Sequence, residues 1–493
     1  MKRFFYLFLL LLAFAGSAVA QQGVWQGTGS SPESLQGVDT LQVIERGGKY
    51  PVGGEYLEKP LPQGWNDGEF FDQTMPPDDT WWLNFDDPVL DSLIVTACKN
   101  NYSALGAMEN IRKARAAWRK AQGNLMPTFD LNLGWQRAKT SGNTAQSLYR
   151  ESWEGQYTTA VSMKWQADVF GTIYMRSKAQ KKLFMATEEE FNAVMVSLVA
   201  NVAITYFSLR QALAEMEVIS WNVESQREIM DIVVSRYNTG LASKLDVAQS
   251  RSVYYSTKAK IPAMQATIDG YRNAMAVLLG VYPQELQGWL DVGYALPEYM
   301  APIEVGMPAH LLLRRPDIRS AERQVEANAA LLGATRRDWF PSIFLTGSIG
   351  FASGKLKYLP RSKSMTWEIA PSLSWNIFSG MERVNATREA QATLDQSIAS
   401  FNATILNAMQ EVENAMSQYR NSIEQIVTLR EAMNQDEETL ALSLELYKQG
   451  LTEYQNVLDA QRSLFTCQDY LVQAHGMSLI YLVQLYEALG GGW

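Results

Sequence analysis

The chain has 493 residues, 47% of them apolar, a formal net charge of −9, two cysteines and two histidines. That balance argues against a nucleic-acid binder, which would carry a basic stripe. Cys98 and Cys467 show no CxxC or Cys/His spacing, so they support neither a zinc site nor a disulfide framework, and two separate thiols are expected.

Met1-Lys2-Arg3 is a short basic region, residues 4–15 are apolar, and Ser17-Ala18-Val19-Ala20 ends in an A-x-A-like cleavage site. Residues 1–20 therefore read as a secretory signal peptide, too short to be a membrane span. Position 21 is Gln rather than Cys, so nothing predicts lipid attachment there. No run of 18 or more apolar residues follows, and any entry into a membrane is expected through β-strands. Residues 21–80, rich in Gly, Pro, Gln and Asp without periodicity, read as an irregular arm.

A first unit, 81–280, starts at Trp81-Trp82. Asp86-Asp87-Pro88 caps a helix that runs to about Gln122 with breaks near Asn100-Asn101. After Leu125-Met126-Pro127 the period changes to two. Phe129, Leu131, Leu133 and Trp135 alternate with polar residues, and so do Tyr157, Val161, Met163 and Trp165. These runs predict strands at about 128–136 and 156–167, near the length that crosses a membrane at a tilt.

Residues 171–237 then carry one helical pattern, roughly 100 Å long at about 1.5 Å per residue. Met195, Val202, Leu209, Met216, Val223, Met230 and Tyr237 recur every seven residues, which implies left-handed supercoiling. Gly240 ends that helix, and a return helix spans about 243–279, with Pro262 able to kink or break it.

After a Pro-rich connector, 281–312, the pattern restarts as a second unit, 313–493. A helix over 316–337, strands at about 342–352 and 366–377, a long helix from Gly380 to Tyr447, a bend at Gly450 and a last helix repeat the first unit's order. Tyr237, Gly240, Leu241 and Val247 become Tyr447, Gly450, Leu451 and Val457 at a constant offset of 210. A constant offset means a duplication.

Four strands cannot close a barrel, and an open sheet in lipid leaves edge N–H and C=O groups unsatisfied. The smallest usual single-chain outer-membrane barrel has about eight strands, so copies must pool theirs. Three copies of four strands would give twelve.

Several segments then resemble the TolC-like outer-membrane efflux family, in its OprM/NodT-type branch. They are Leu313-Arg314-Arg315-Pro316-Asp317-Ile318-Arg319-Ser320-Ala321-Glu322, Phe340-Pro341-Ser342-Ile343, Pro371-Ser372-Leu373-Ser374-Trp375, Val457-Leu458-Asp459-Ala460-Gln461-Arg462-Ser463 and the ending from Leu485 to Trp493. The resemblance implies a mainly α fold with transmembrane β: two tandem repeats of long coiled helices plus a β-hairpin. It implies a homotrimer with a 12-stranded barrel among outer-membrane lipids above a periplasmic α-helical barrel. Its partners would be a periplasmic adaptor (membrane fusion) protein and an inner-membrane transporter. Gln21, where many relatives carry a lipidated Cys, and the long arm are departures that concern only the N-terminal anchoring.

By resemblance, Asp459 stands at the periplasmic constriction, where three copies form a carboxylate ring that selects or gates. Gln455, four residues earlier, and Arg462, three later, share its face; the bland alternative is a solvated Asp–Arg pair. Repeat one has Leu245 and Gln249 there, so the repeats differ at the gate. Thr239, Gly240, Leu241 and Ala242 and Gln449, Gly450, Leu451 and Thr452 form the tips expected to meet the adaptor. No phosphate loop, nucleophile elbow or paired acid and base predicts catalysis, and no metal or cofactor is expected. The leading function is a passive efflux duct of a tripartite (RND-type) system for small molecules. The alternatives are a type I protein-secretion duct and a coiled-coil scaffold without a pore.

Overall fold

A computed structural model describes residues 56–57, 60–66, 70–73, 78–139, 153–286, 293, 295–297, 299 and 302–491. The expected signal peptide and most of the arm lie outside the described residues.

Two helices open the first repeat: α1 (Pro88–Asn100) and α2 (Tyr102–Gly123). Asp87 caps α1, its Oδ1 accepting from the N–H groups of Val89 and Leu90. Asn101 separates the two helices, its Oδ1 accepting from Ser103 and Ala104. That is the expected break, made by a side chain that competes with the helical ladder. Next come strands β1 (Thr128–Lys139) and β2 (Trp153–Ala167), long helix α3 (Thr172–Asn238), and α4 (Lys244–Lys258) with α5 (Lys260–Leu279). The return is broken at Ala259 because Pro262 has no N–H for the Lys258 carbonyl and its ring crowds that oxygen.

The second repeat has α6 (Pro316–Arg337), β3 (Ser342–Ser353), β4 (Met365–Ser374), α7 (Glu382–Gln449) and α8 (Tyr454–Ala488). The starts of α3 and α7 differ by 210 residues, as do those of α4 and α8. The last strand stops at Ser374, short of the expected 377. Ser374 pairs with Ser342, the first strand residue after Pro341, so the ladder has no further partner. The Trp375 indole instead donates to the Trp339 carbonyl at 3.1 Å, and Arg383 donates to the Asn376 carbonyl.

The strands form one antiparallel sheet in the order β1-β2-β3-β4, with the β2–β3 ladder joining the repeats. Directly paired residues share a face. One face carries Phe129 with Met163, Leu131 with Val161, Trp135 with Tyr157, Ile349 with Trp367 and Ile343 with Leu373. The other carries Asp130 with Ser162, Lys164 with Thr346, Ser348 with Glu368 and Ser342 with Ser374. The apolar face is uncovered: Leu133 is 74% exposed and Ile369 67%. A soluble protein would cover such a face; left uncovered, it suits contact with lipid.

Helices follow the strand order, with α2 on α3, α3 on α6 and α6 on α7 as neighbouring pairs. The main core lies where α1, α3, α6, α7 and α8 meet, around Tyr206, Phe207, Leu209, Val412 and Leu482. One 18-residue stretch of α3 is apolar enough to cross a membrane, with mean hydropathy 1.6, but half of it is buried in the fold. Trp81 stacks on Tyr486 at 5.2 Å, and the Tyr299 and Tyr486 hydroxyls are hydrogen-bonded at 2.7 Å. Arg315 of the LRRPD segment is buried and ties three elements together. It donates to Asp317, to Glu411 of α7 at 2.7 Å and to the Ala488 carbonyl at the end of α8 at 2.7 Å. The described arm residues pack on α7, with Tyr56 against Phe401 and Phe71 against Tyr419.

The expected heptad seam of α3 shifts in its distal half. Ile219, Asn222, Gln226, Ile229 and Val233 are buried there, whereas Val223 and Met230 are half-buried and Tyr237 is 42% exposed. The true seam contains two amides, so a hydrophobicity count passes over it. Asn222 uses its amide to donate to Gln468 of α8 at 2.9 Å, satisfying a buried polar group across the repeats. Cys98 and Cys467 are both free thiols.

Candidate functional site

The site is built from two helical bends at the end of α3 and α7 remote from the strands. Both use the same device. The Leu241 N–H bonds the Arg236 carbonyl at 2.8 Å and the Leu451 N–H bonds the Leu446 carbonyl at 2.9 Å. Between them Gly240 has φ 78° and Gly450 has φ 76°. This closing bond needs a left-handed residue before it, which only glycine supplies without strain. The bends differ at the start of the return helix. Ser243 and Asp246 make a reciprocal capping box, at 3.1 Å each way. The second bend's N-cap, Glu453, makes no side-chain capping bond.

The two bends are fastened to each other by a small separate core of Ile229, Val233, Val247, Tyr447, Tyr454, Val457 and Leu458. The Tyr447 and Tyr454 rings meet at 5.6 Å. Burial raises both phenols, and the neighbouring Tyr447 helps push Tyr454 up to about 12. Arg236 crosses from repeat one. Its guanidinium lies 4.8 Å from the centre of the Tyr447 ring and donates to the Lys448 carbonyl at 2.6 Å. That carbonyl is among the last of α7, at the negative end of the helix, so a cation is favoured there. Sequence reasoning missed Arg236. The available signal was a charged residue beside a heptad position at the bend, with Leu446 at the matching place in repeat two.

The structure places the three expected gate residues together on one exposed face of α8. Gln455 donates to both carboxylate oxygens of Asp459, at 3.0 and 3.1 Å. Arg462 approaches Asp459 at 3.9 Å, both side chains about 60% exposed. Asp459 also borders a groove of about 490 Å³ between α7 and α8, with Asp436, Thr439, Asn456 and Ser463. Gln455 binds through its amide N–H, as a donor to an acceptor, and the Asp459 side chain stays about 59% exposed beside Arg462. The first-repeat counterparts are Leu245, 65% exposed, and Gln249, which carry no charge.

At the tips, Thr239 donates to the Arg236 carbonyl at 2.9 Å and Gln449 donates to Glu445 at 2.8 Å. Leu241 and Leu451 point out, 67% and 70% exposed, and Ala242 and Thr452 are half-buried beside them. The bend motif usually packs the residue after the glycine back on its own helix. Here both leucines are left exposed, at the ends of α3 and α7 remote from the strands. Among the described residues no group of three or more His, Cys, Asp or Glu side chains could hold a metal ion.

The described residues thus form a duplicated unit of long helices, with a strand hairpin that exposes an apolar face at one end and a tight bend at the other. The sequence model of the family described as "Outer membrane efflux protein" matches residues 93–281 and 307–491, one stretch in each repeat. The chain belongs to this family. It is similar to the toluene efflux pump outer membrane protein TtgF of Pseudomonas putida, 30% identical over 88% of this chain and 92% of TtgF. It is likewise 30% identical to the cation efflux system protein CusC of Escherichia coli, over 84% of this chain and 88% of CusC. The solved outer-membrane channel OprN superposes with a TM-score of 0.82 at 28% identity, over 90% of this chain and 99% of that one. As a member of this outer-membrane efflux family, the chain sets its apolar sheet face in the outer membrane and its long helices in the periplasm.

Proposed function

We propose that three copies of the chain form a passive duct, the exit channel of a tripartite efflux system. The observation that carries this is the open sheet of the described residues: four strands, one face apolar and exposed, and both edge strands free of partners. Hydrocarbon penalises every unpaired edge group, so the edges must meet those of other copies. Three copies of four strands give a twelve-stranded barrel with Asp130, Lys164 and Glu368 facing its interior. The energy comes from an inner-membrane transporter, and a periplasmic adaptor meets the exposed tips at Leu241 and Leu451. The names of relatives, with toluene and cation efflux among them, support small cargo over secreted proteins.

Asp459, with Gln455 and Arg462, gates the duct from the second bend. The uncapped start of α8 supports this division, since the first bend is held by its capping box and suits a docking role. In planar bilayers the wild-type channel is expected to be mostly shut. Asp459→Ala should raise the open probability and reduce cation selectivity by removing three carboxylates around one axis. An unchanged conductance and ion preference would remove Asp459 from the gate. A purified protein that conducts nothing in either form would overturn the duct itself.

A further inference from the structure

Among the described residues the helical body has two free edges, and their charges differ. One edge is α2. Its packing face, Ile111, Ala114, Trp118 and Ala121, is half-buried on α3, with Trp118 stacked on Phe184 at 5.7 Å. The opposite face is exposed and carries Arg112, Lys113, Arg119 and Lys120, a net basic set even though Glu109 on the same face pairs with Arg112 at 2.6 Å. The other edge is the start of α7. It packs on α6 through buried Leu394, and Gln391 accepts from Arg336 at 3.1 Å. Its opposite face carries Glu382 and Glu389, both exposed and seven residues apart.

The duplication supplies a template for how these edges meet. Inside one chain α3 of the first repeat packs on α6 of the second. There the side chain of Met175 lies against Gly333, and Lys182 pairs with Glu326 at 2.7 Å. Pro127 corresponds to Pro341, an offset of 214, which carries Gly333 and Glu326 back to Arg119 and Arg112 of α2. The offset of 210 carries Met175 and Lys182 forward to Asn385 and Ala392 of α7. The α3–α6 contact inside a chain thus maps onto a contact between α2 of one copy and α7 of the next. In that register Arg119 stands by Asn385 and Arg112 by Ala392, and Glu389 lies within one helical turn of both.

Chain distance from the membrane agrees. Lys120 lies eight residues before the start of β1, and Glu382 lies eight after the end of β4. Lys113 and Glu389 lie fifteen away on the same count.

We propose that the basic face of α2 and the acidic face of α7 form an electrostatic seam between neighbouring copies, just beneath the membrane, which sets the register in which the ring closes. The proposal rests on the trimeric reading above and adds its closing contact. Ala327 and Ala334 of α6 are buried within the chain, whereas the matching α2 positions are Lys113 and Lys120. An apolar edge would stick to any exposed apolar face of an unassembled chain. Opposite charges accept only the correct partner edge and repel a like one.

The test uses the full chain with Cys98→Ser and Cys467→Ser as background, purified from outer membranes. Arg119→Cys with Asn385→Cys is expected to give a two- and three-chain ladder on a non-reducing gel. Within one chain these residues lie on opposite edges. Arg112→Glu with Arg119→Glu should lower the trimer fraction, read by native mass, about tenfold, the summed effect of weak surface pairs repeated at every seam. Adding Glu382→Arg with Glu389→Arg should restore it. A trimer by mass that neither cross-links nor responds to the charge swap overturns the seam and leaves the trimer standing. A wild-type chain that is not trimeric by mass overturns the trimeric reading and the seam with it.

Discussion

Arg236→Ala isolates the bridge between the two bends. Wild-type Arg236 donates a charged hydrogen bond to Lys448 at 2.6 Å and lies over the Tyr447 ring at 4.8 Å. Such a bond contributes roughly 1.5–3 kcal/mol, and an exposed cation–π contact about 0.5–1 kcal/mol. Lys448 is exposed, so water reaches its carbonyl once the arginine is gone, and no buried acceptor is stranded. A net loss of about 2 kcal/mol is expected, which shifts the balance between joined and separated bends about thirtyfold. Spin labels at Leu241→Cys and Leu451→Cys, both exposed positions, read the separation directly. Arg236→Ala should broaden and lengthen the distance distribution and raise channel open probability. Arg236→Lys should fall between, since it keeps a charge but loses the planar fork. Identical distributions and conductance in all three proteins would show that the bridge is incidental and that the Tyr447–Tyr454 core alone holds the bends.

Leu133→Lys, in mid-strand on the apolar face, should destabilise the membrane-inserted state by about 2–4 kcal/mol, whereas Asn132→Lys on the opposite face should be tolerated. Urea titrations of protein folded into lipid vesicles measure both; equal effects would mean the sheet faces are assigned the wrong way round. Burial raises the Glu487 carboxyl above its ordinary range, against a hydrogen bond donated by Ser197 at 3.0 Å. A carboxyl raised in the folded state contributes stability at low pH that is lost as pH rises through its folded pKa. Thermal stability should therefore fall across that window in the wild type and stay level in Glu487→Gln. Parallel pH profiles would refute the assignment.

The fold was legible in the sequence because its signals are local and repeated. Strand alternation, the Pro127 and Pro341 stops and the glycines at both bends each dictate backbone without reference to distant residues. Pro262 breaks its helix for the same local reason. The site was legible in part. Gln455, Asp459 and Arg462 share a face because they are three and four residues apart on one helix. Arg236 was not legible, because its partners lie 211 and 212 residues away and no local spacing encodes them. The distal seam of α3 was hidden for a related reason. Asn222 and Gln226 read as surface residues until the amide of Asn222 is seen to reach Gln468 on another helix.

By itself the sequence determined the duplicated unit, the type and order of the elements, the position of the bends and the need for more strands than one chain supplies. Those follow from covalent spacing and from what each residue does to its own backbone. Only the tertiary structure decided which helices are neighbours, which face of each edge helix is left open, and how the two bends are joined. Those depend on packing between residues some two hundred positions apart. Lys113 and Lys120 show the difference most plainly. In the sequence they are two more charges on a helix. In the fold they stand exposed on an edge helix, at the positions where the other repeat buries Ala327 and Ala334.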